Sequence, residues 1–133
     1  MNQADFRYHD VTGFPLVVAR HRDGVPGFAA HWIAEMEQLA GNPAQFVMIV
    51  PDPDVEIAHE DRKAMVQWQT GNMARLRECC KGFIAVKPDP SGLARTQAQA
   101  EKMTRAFGLP FCAVATLAQA REKARQLLQT SGD

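Results

Sequence analysis

Hydrophobic and polar residues change their spacing several times along the chain, and each change marks a structural element. Phe6 to His9 alternates apolar and polar, and Phe14 to Ala19 is a run of strand-type residues. The turn-forming Asp10-Val11-Thr12-Gly13 between them predicts an N-terminal hairpin. Gly24-Val25-Pro26-Gly27 then breaks the pattern. From Phe28 to Ala40 the residues Ala29, Trp32, Ile33, Met36 and Ala40 share one helical face, and Gly41-Asn42-Pro43 supplies the stop. Gln45 to Val50 predicts a short buried strand closed by Pro51-Asp52-Pro53-Asp54.

The longest amphipathic stretch runs from Glu60 to Lys81. Met65, Trp68, Met73, Leu76, Cys79 and Cys80 fall on its apolar face, and Gly82 is expected as the C-cap. Phe83 to Val86 predicts the next strand. Asp89-Pro90-Ser91-Gly92 opens a helix that ends at Phe107, before Gly108. Its inner face carries Leu93, Ala100 and Phe107 but also Gln97 and Thr104. Phe111 to Ala115 is the last strand, and Thr116-Leu117-Ala118-Gln119 has the capping-box pattern. The closing helix presents Leu117, Ala120, Ala124, Leu127 and Leu128 on one side, and residues 130–133 read as a frayed tail. The expected order is β-β-α-β-α-β-α-β-α. Strands separated by helices need crossovers, so residues 1–133 are expected to form one α/β domain with a mostly parallel sheet and an antiparallel N-terminal strand.

Composition sharpens this picture in three places. The 46% hydrophobic content suffices for a core, but 20 of those residues are alanines, which favour helix more than they fill volume. The zero net charge argues against nucleic-acid partners, yet it is a cancellation. Residues 1–60 hold three Lys or Arg against nine Asp or Glu, while residues 61–133 hold twelve against six. The chain shows neither an apolar run of the roughly 20 residues a membrane helix needs nor a signal-peptide pattern at Met1-Asn2-Gln3-Ala4-Asp5. With an odd count of three cysteines, Cys79 and Cys80 adjacent, the expectation is a reduced, cytoplasmic protein without a membrane partner.

Two local features carry a family resemblance. One is Gln45-Phe46-Val47-Met48-Ile49-Val50, a buried strand leading into an acidic loop. The other is the strand-cap-helix run from Cys112 to Arg121. With the element order and the size, these make the chain resemble the STAS and SpoIIAA-like domains, small α/β proteins that include bacterial anti-sigma-factor antagonists. The resemblance implies a non-catalytic protein-interaction or regulatory module. The family's switch phosphorylates a Ser or Thr in the loop and helix start after that strand. Here Val47 to Gln69 contains neither, and Thr70 is the first, so no phosphosite is carried over.

Candidate chemistry concentrates in a few places. Asp52 and Asp54, with Val55-Glu56 and then His59, Glu60 and Asp61, follow a strand at its C-terminal end, where open α/β sheets bind ligands. Asp52, Asp54 and His59 are the catalytic candidates; the plain alternative is that these acids oppose a helix dipole. Gln69 and Asn72 fall inside the apolar face of the long helix, where an amide either ties the helix down or lines a pocket. With Arg75 they are the ligand-binding candidates. Gly24 to Gly27, preceded by Arg20, His21 and Arg22, reads as a plain loop or as an anion site at a helix N-terminus. Trp32 and Trp68, beside Met36 and Met65, suit core packing, a subunit interface or a cofactor box. Cys79, Cys80 and Cys112 suit buried, inert thiols. The basic residues on the last three helices read as solvated surface or as a stripe for an acidic partner. No nucleotide motif and no metal-ligand spacing is present, so neither cofactor nor metal is expected.

The reading that results is an interaction module acting as a homodimer or with a protein partner. The alternative is a small enzyme or ligand-binding protein whose site lies at the C-terminal edge of the sheet, from the acidic loop 52–61 to the polar positions of the long helix. A small-molecule ligand belongs to that alternative.

Overall fold

The computed structural model describes residues 2–51 and 53–129. Asp52 and the tail 130–133 lie outside the described residues. The strands are β1 (His9–Asp10), β2 (Leu16–Ala19), β3 (Phe46–Val50), β4 (Cys80–Val86) and β5 (Phe111–Val114). The helices are α1 (Ala29–Gly41), α2 (His59–Gly71), α3 (Met73–Cys79), α4 (Pro90–Phe107) and α5 (Leu117–Gln129). The strands form one sheet in chain order, β1-β2-β3-β4-β5. β1 runs antiparallel to β2, with His9 opposite Ala19, and the other neighbours are parallel. The expected mixed α/β architecture with an N-terminal hairpin is therefore present.

Strands that follow chain order, joined by right-handed crossovers, place every crossover helix on the same face. One core accordingly joins Trp32, Met36 and Leu39 of α1 and Leu76 of α3 to Phe46 and Met48 of β3. α5 follows the last strand and covers the opposite face, where Ala120 and Ala124 pack on Val47, Ile49, Ile84 and Val86. Strand alternation divides the side chains between the two cores. Each fully buried large side chain contributes roughly 1.5–3 kcal/mol.

The expected helix from Glu60 to Lys81 is two helices. It breaks at Gly71-Asn72, where the Asn72 side chain donates to the Trp68 carbonyl at 2.8 Å. Glycine is costly inside a helix, and asparagine offers the backbone a competing partner. After the break, the Asn72 carbonyl accepts the first α3 hydrogen bond, from Leu76 N at 2.9 Å. The strand then begins three residues earlier than expected, at Cys80, so Lys81 is in β4 rather than in a helix.

Gly82 is likewise not a C-cap; it lies within β4 at a bulge. Phe46 and Met48 of β3 are two residues apart, but their partners Cys80 and Phe83 are three apart. The extra residue returns Phe83 to the face that Cys80 occupies, and both join the same core. The bulge also brings Gly82 so near to its neighbours that an added Cβ would stand 2.9 Å from Leu127 Cδ1 and 3.0 Å from the Pro110 carbonyl oxygen.

The other helix ends follow the sequence pattern. Asp89 accepts from Gly92 N at 2.8 Å with Pro90 behind it, and Gly108 closes α4 with φ of 69°. Gln119 and Thr116 exchange hydrogen bonds at the start of α5 as a capping box does. The polar residues on the inner face of α4 hold β5. Gln97 donates to the Ala113 carbonyl, and Thr104 bonds both the N–H and the carbonyl of Phe111.

Two glycine substitutions of opposite sign test this account by urea denaturation. Gly82→Ala forces the backbone away from Pro110 and is expected to cost about 1–3 kcal/mol. Gly71 has open space around it and no positive φ, so Gly71→Ala is expected to stabilise by roughly 0.4–1 kcal/mol.

Candidate functional site

The sequence candidates do not converge. Asp52 lies outside the described residues. Asp54 stands at the C-terminal edge of the sheet and pairs with Lys87. It borders a shallow hollow of about 260 Å³ that Arg22, Val86 and Lys87 also line. His59 begins α2 and is exposed. Arg75, on α3, is bound by Glu37 of α1 at 3.0 Å and by Asn72 Oδ1 at 2.9 Å. The Trp68 indole donates to the same Glu37 at 2.8 Å. Hydrogen bonds from Arg75 and then from Trp68 hold the Glu37 carboxyl below its ordinary range. Arg75 and Asn72 are thus committed to joining α1, α2 and α3.

Gln69 is the one candidate that lines a substantial cavity, a groove of about 310 Å³ between α2 and α4. The α2 wall is Arg62, Met65, Val66 and Gln69, four residues at i, i+3, i+4 and i+7. The α4 wall is Thr96, Gln99, Ala100 and Met103. Phe83 and Ala85 of β4 and Phe111 of β5 form the floor, and His21 and Trp32 close one end. The small side chains Ala85 and Ala100 leave this space, which is where the alanine-rich composition takes effect.

Two buried carboxylates tie other segments to α1, Asp61 at its start and Glu35 along its length, and the sequence pattern singled out neither for this role. Asp61 is 6% exposed and accepts from Gly27 N at 2.8 Å and Ala29 N at 3.2 Å. It therefore fills the N-terminus of α1, the place considered for an external anion. Glu35 is 5% exposed and accepts from Arg7 N and Tyr8 N, each at 3.0 Å. Its other contact is His9 Nδ1 at 2.9 Å, and His9 is fully buried. Burial pushes the Glu35 carboxyl up, but the donors from His9, Arg7 and Tyr8 outweigh it and hold the group below the usual range. The signal for both was present: Glu35 shares the helical phase of Trp32 and Leu39, and Asp61 that of Met65. A carboxylate at a buried phase requires donors.

Cys79 and Cys80 are buried, while Cys112 is half-buried and lines the groove. Desolvation pushes Cys80 up to about 12 and also raises Cys79 and Cys112. Among the described residues, no three His, Cys, Asp or Glu side chains cluster as metal ligands do. No described helix is long and apolar enough to cross a membrane. No family model, no curated protein and no solved structure matches this chain.

Glu35→Gln replaces an acceptor-only carboxylate with an amide that points donors at donors. A loss of roughly 1–3 kcal/mol is expected at neutral pH. Because the folded-state value is depressed, the Glu35 contribution is complete above the unfolded-state value and disappears as pH falls through the folded-state one. Urea titrations of the two proteins from pH 7 to pH 3 should therefore show their stability difference shrinking on acidification.

Proposed function

We propose that the protein is a non-catalytic binding module that holds a small, largely apolar molecule in the groove between α2 and α4. One observation carries this reading: a cavity of about 310 Å³ with apolar walls and floor and a few polar groups, Gln69, Thr96 and Gln99 among them. Small-molecule sites have this make-up, and they start at roughly 300 Å³. Of the acid-base candidates, Asp54 and His59 are absent from the described lining, which holds His21 at one end, and the thiol of the lining residue Cys112 is raised by burial. The mainly apolar lining suits binding.

The SpoIIAA/STAS-like assignment belongs to the same proposal and rests on element order, size and the two local runs, Gln45 to Val50 and Cys112 to Arg121. It agrees with a domain that acts by binding. The large apolar side chains that stand exposed, Val25, Val66 and Leu117, sit on a loop, on α2 and on α5. They support a protein-partner role less than the groove supports a ligand.

Screening neutral mono- and bicyclic aromatic fragments by intrinsic fluorescence tests the reading, because Trp32 lines the groove and Trp68 stands edge-on to it at 6.0 Å. At least one fragment is expected to give a saturable emission change. Thr96→Phe fills the groove from α4 and is expected to abolish that change while the thermal midpoint moves by a few degrees at most. A screen without saturable response, or binding that survives Thr96→Phe, would refute the reading.

A further inference from the structure

The groove is lined by a cation that the protein engages only lightly. Arg62 lines it from α2, forms no ion pair among the described residues, and makes one long hydrogen bond, 3.4 Å to the Val55 carbonyl. Trp32 lines it from α1 at 2% exposure, and its indole N–H meets no acceptor. A buried indole N–H ordinarily finds a partner, and an unpaired one costs about 1–3 kcal/mol. No carboxylate is among the described lining residues. The nearest acid in sequence, Asp61, has both carboxylate oxygens engaged at the start of α1.

We propose that the ligand is a small organic anion, a carboxylate with an apolar body, whose charge pairs with Arg62 and whose body lies on Phe83, Ala85 and Phe111. The inference rests on the groove being a ligand site and adds the chemical class of the occupant. Two features favour an anion. A guanidinium matches a carboxylate in planar, two-point geometry, and Arg62 is exposed and able to turn toward a bound ligand. A cationic ligand would meet Arg62 without a compensating acid among the described lining residues. The size of the cavity suits a single ring or a short chain rather than a peptide helix, which is about 10 Å across.

A matched pair of probes separates the charge from the groove. 4-Phenylbutanoate and 4-phenylbutanamide share an apolar body and differ in charge. By calorimetry at low ionic strength, the carboxylate is expected to bind at least tenfold more tightly than the amide, with the gap narrowing as salt is added. Arg62→Gln is expected to bring the carboxylate down to the level of the amide and to leave the amide unchanged. Lys63→Gln, an exposed neighbour outside the groove, should alter neither. In ¹H–¹⁵N spectra the Trp32 indole resonance should move on binding, while that of Trp68, already bonded to Glu37, should move less. Equal binding of the two probes, or a carboxylate preference that persists in Arg62→Gln, would overturn the anion assignment and leave the groove as a neutral-ligand site. If neither these probes nor the neutral fragments bind, the groove reading itself falls.

Discussion

The Asp61 carboxylate is where the geometry of this protein is set. It projects from the first turn of α2 into the start of α1 and takes the amides of Gly27 and Ala29. Both ends of the contact need it. The amides at the start of α1 have no partner within their own helix, and a carboxylate so nearly buried cannot stay charged without donors. The contact fixes the start of α2 against α1, and the next residues of α2, Arg62, Met65, Val66 and Gln69, become one wall of the groove. Moving α2 by a turn would expose this carboxylate and close or open the cavity together. Glu35 does the corresponding work at the other edge, holding the backbone of the N-terminal segment and His9 against α1.

The cavity exists because of what the opposite wall lacks. α4 meets the sheet with Gly92, Ala100, Gln97 and Thr104, and the last two spend their polar groups on β5. Between α4 and α2, Ala85 and Ala100 stand where larger side chains would fill the space. α4 is therefore held by hydrogen bonds to one strand rather than by packing against α2, and an apolar trough remains over β4. The opposite charges of the two halves of the chain partly meet in ion pairs on the surface. Glu37 pairs with Arg75 and Asp54 with Lys87, each an acid of the first half and a cation of the second. Arg62 is a groove-lining cation of the second half left without such a partner among the described residues.

Periodicity and punctuation were enough to read most of the fold. The β3 and β5 strands, α1, the Asp89-Pro90 start and Gly108 end of α4, and the Thr116–Gln119 box all stand where their local signals place them, while the hairpin forms with its first strand at His9–Asp10, partly in the segment expected as the turn, rather than at Phe6 to His9. These signals act within a few residues, through capping, backbone freedom and alternation, so the chain shows them without its tertiary partners. The misreadings lie where a local signal was outweighed. The apolar face from Met65 to Cys80 is continuous at helical spacing, yet Gly71-Asn72 breaks the helix. Gly82 has the look of a helix stop, yet it permits a strand to pass against Pro110 and Leu127. The first is decided locally, by Gly71 and the Asn72 bond to Trp68, and the second by contacts from distant parts of the chain.

The candidate site was legible only in part, for the same reason. Gln69 was visible as an amide on an apolar face, and it does line the groove. Asn72 and Arg75, chosen on the same helix, turned out to serve the joints between helices. Arg62 differs from other surface arginines of the chain in nothing that spacing alone reveals; it matters because the groove-lining residues of α4, some thirty residues later, include no acid. The sequence by itself determined which segments are helix and strand, which faces are apolar, and that small residues would leave the core underfilled. Only the tertiary structure decided where that missing volume gathers and which donors face it, because both depend on how elements far apart in the chain come to stand side by side.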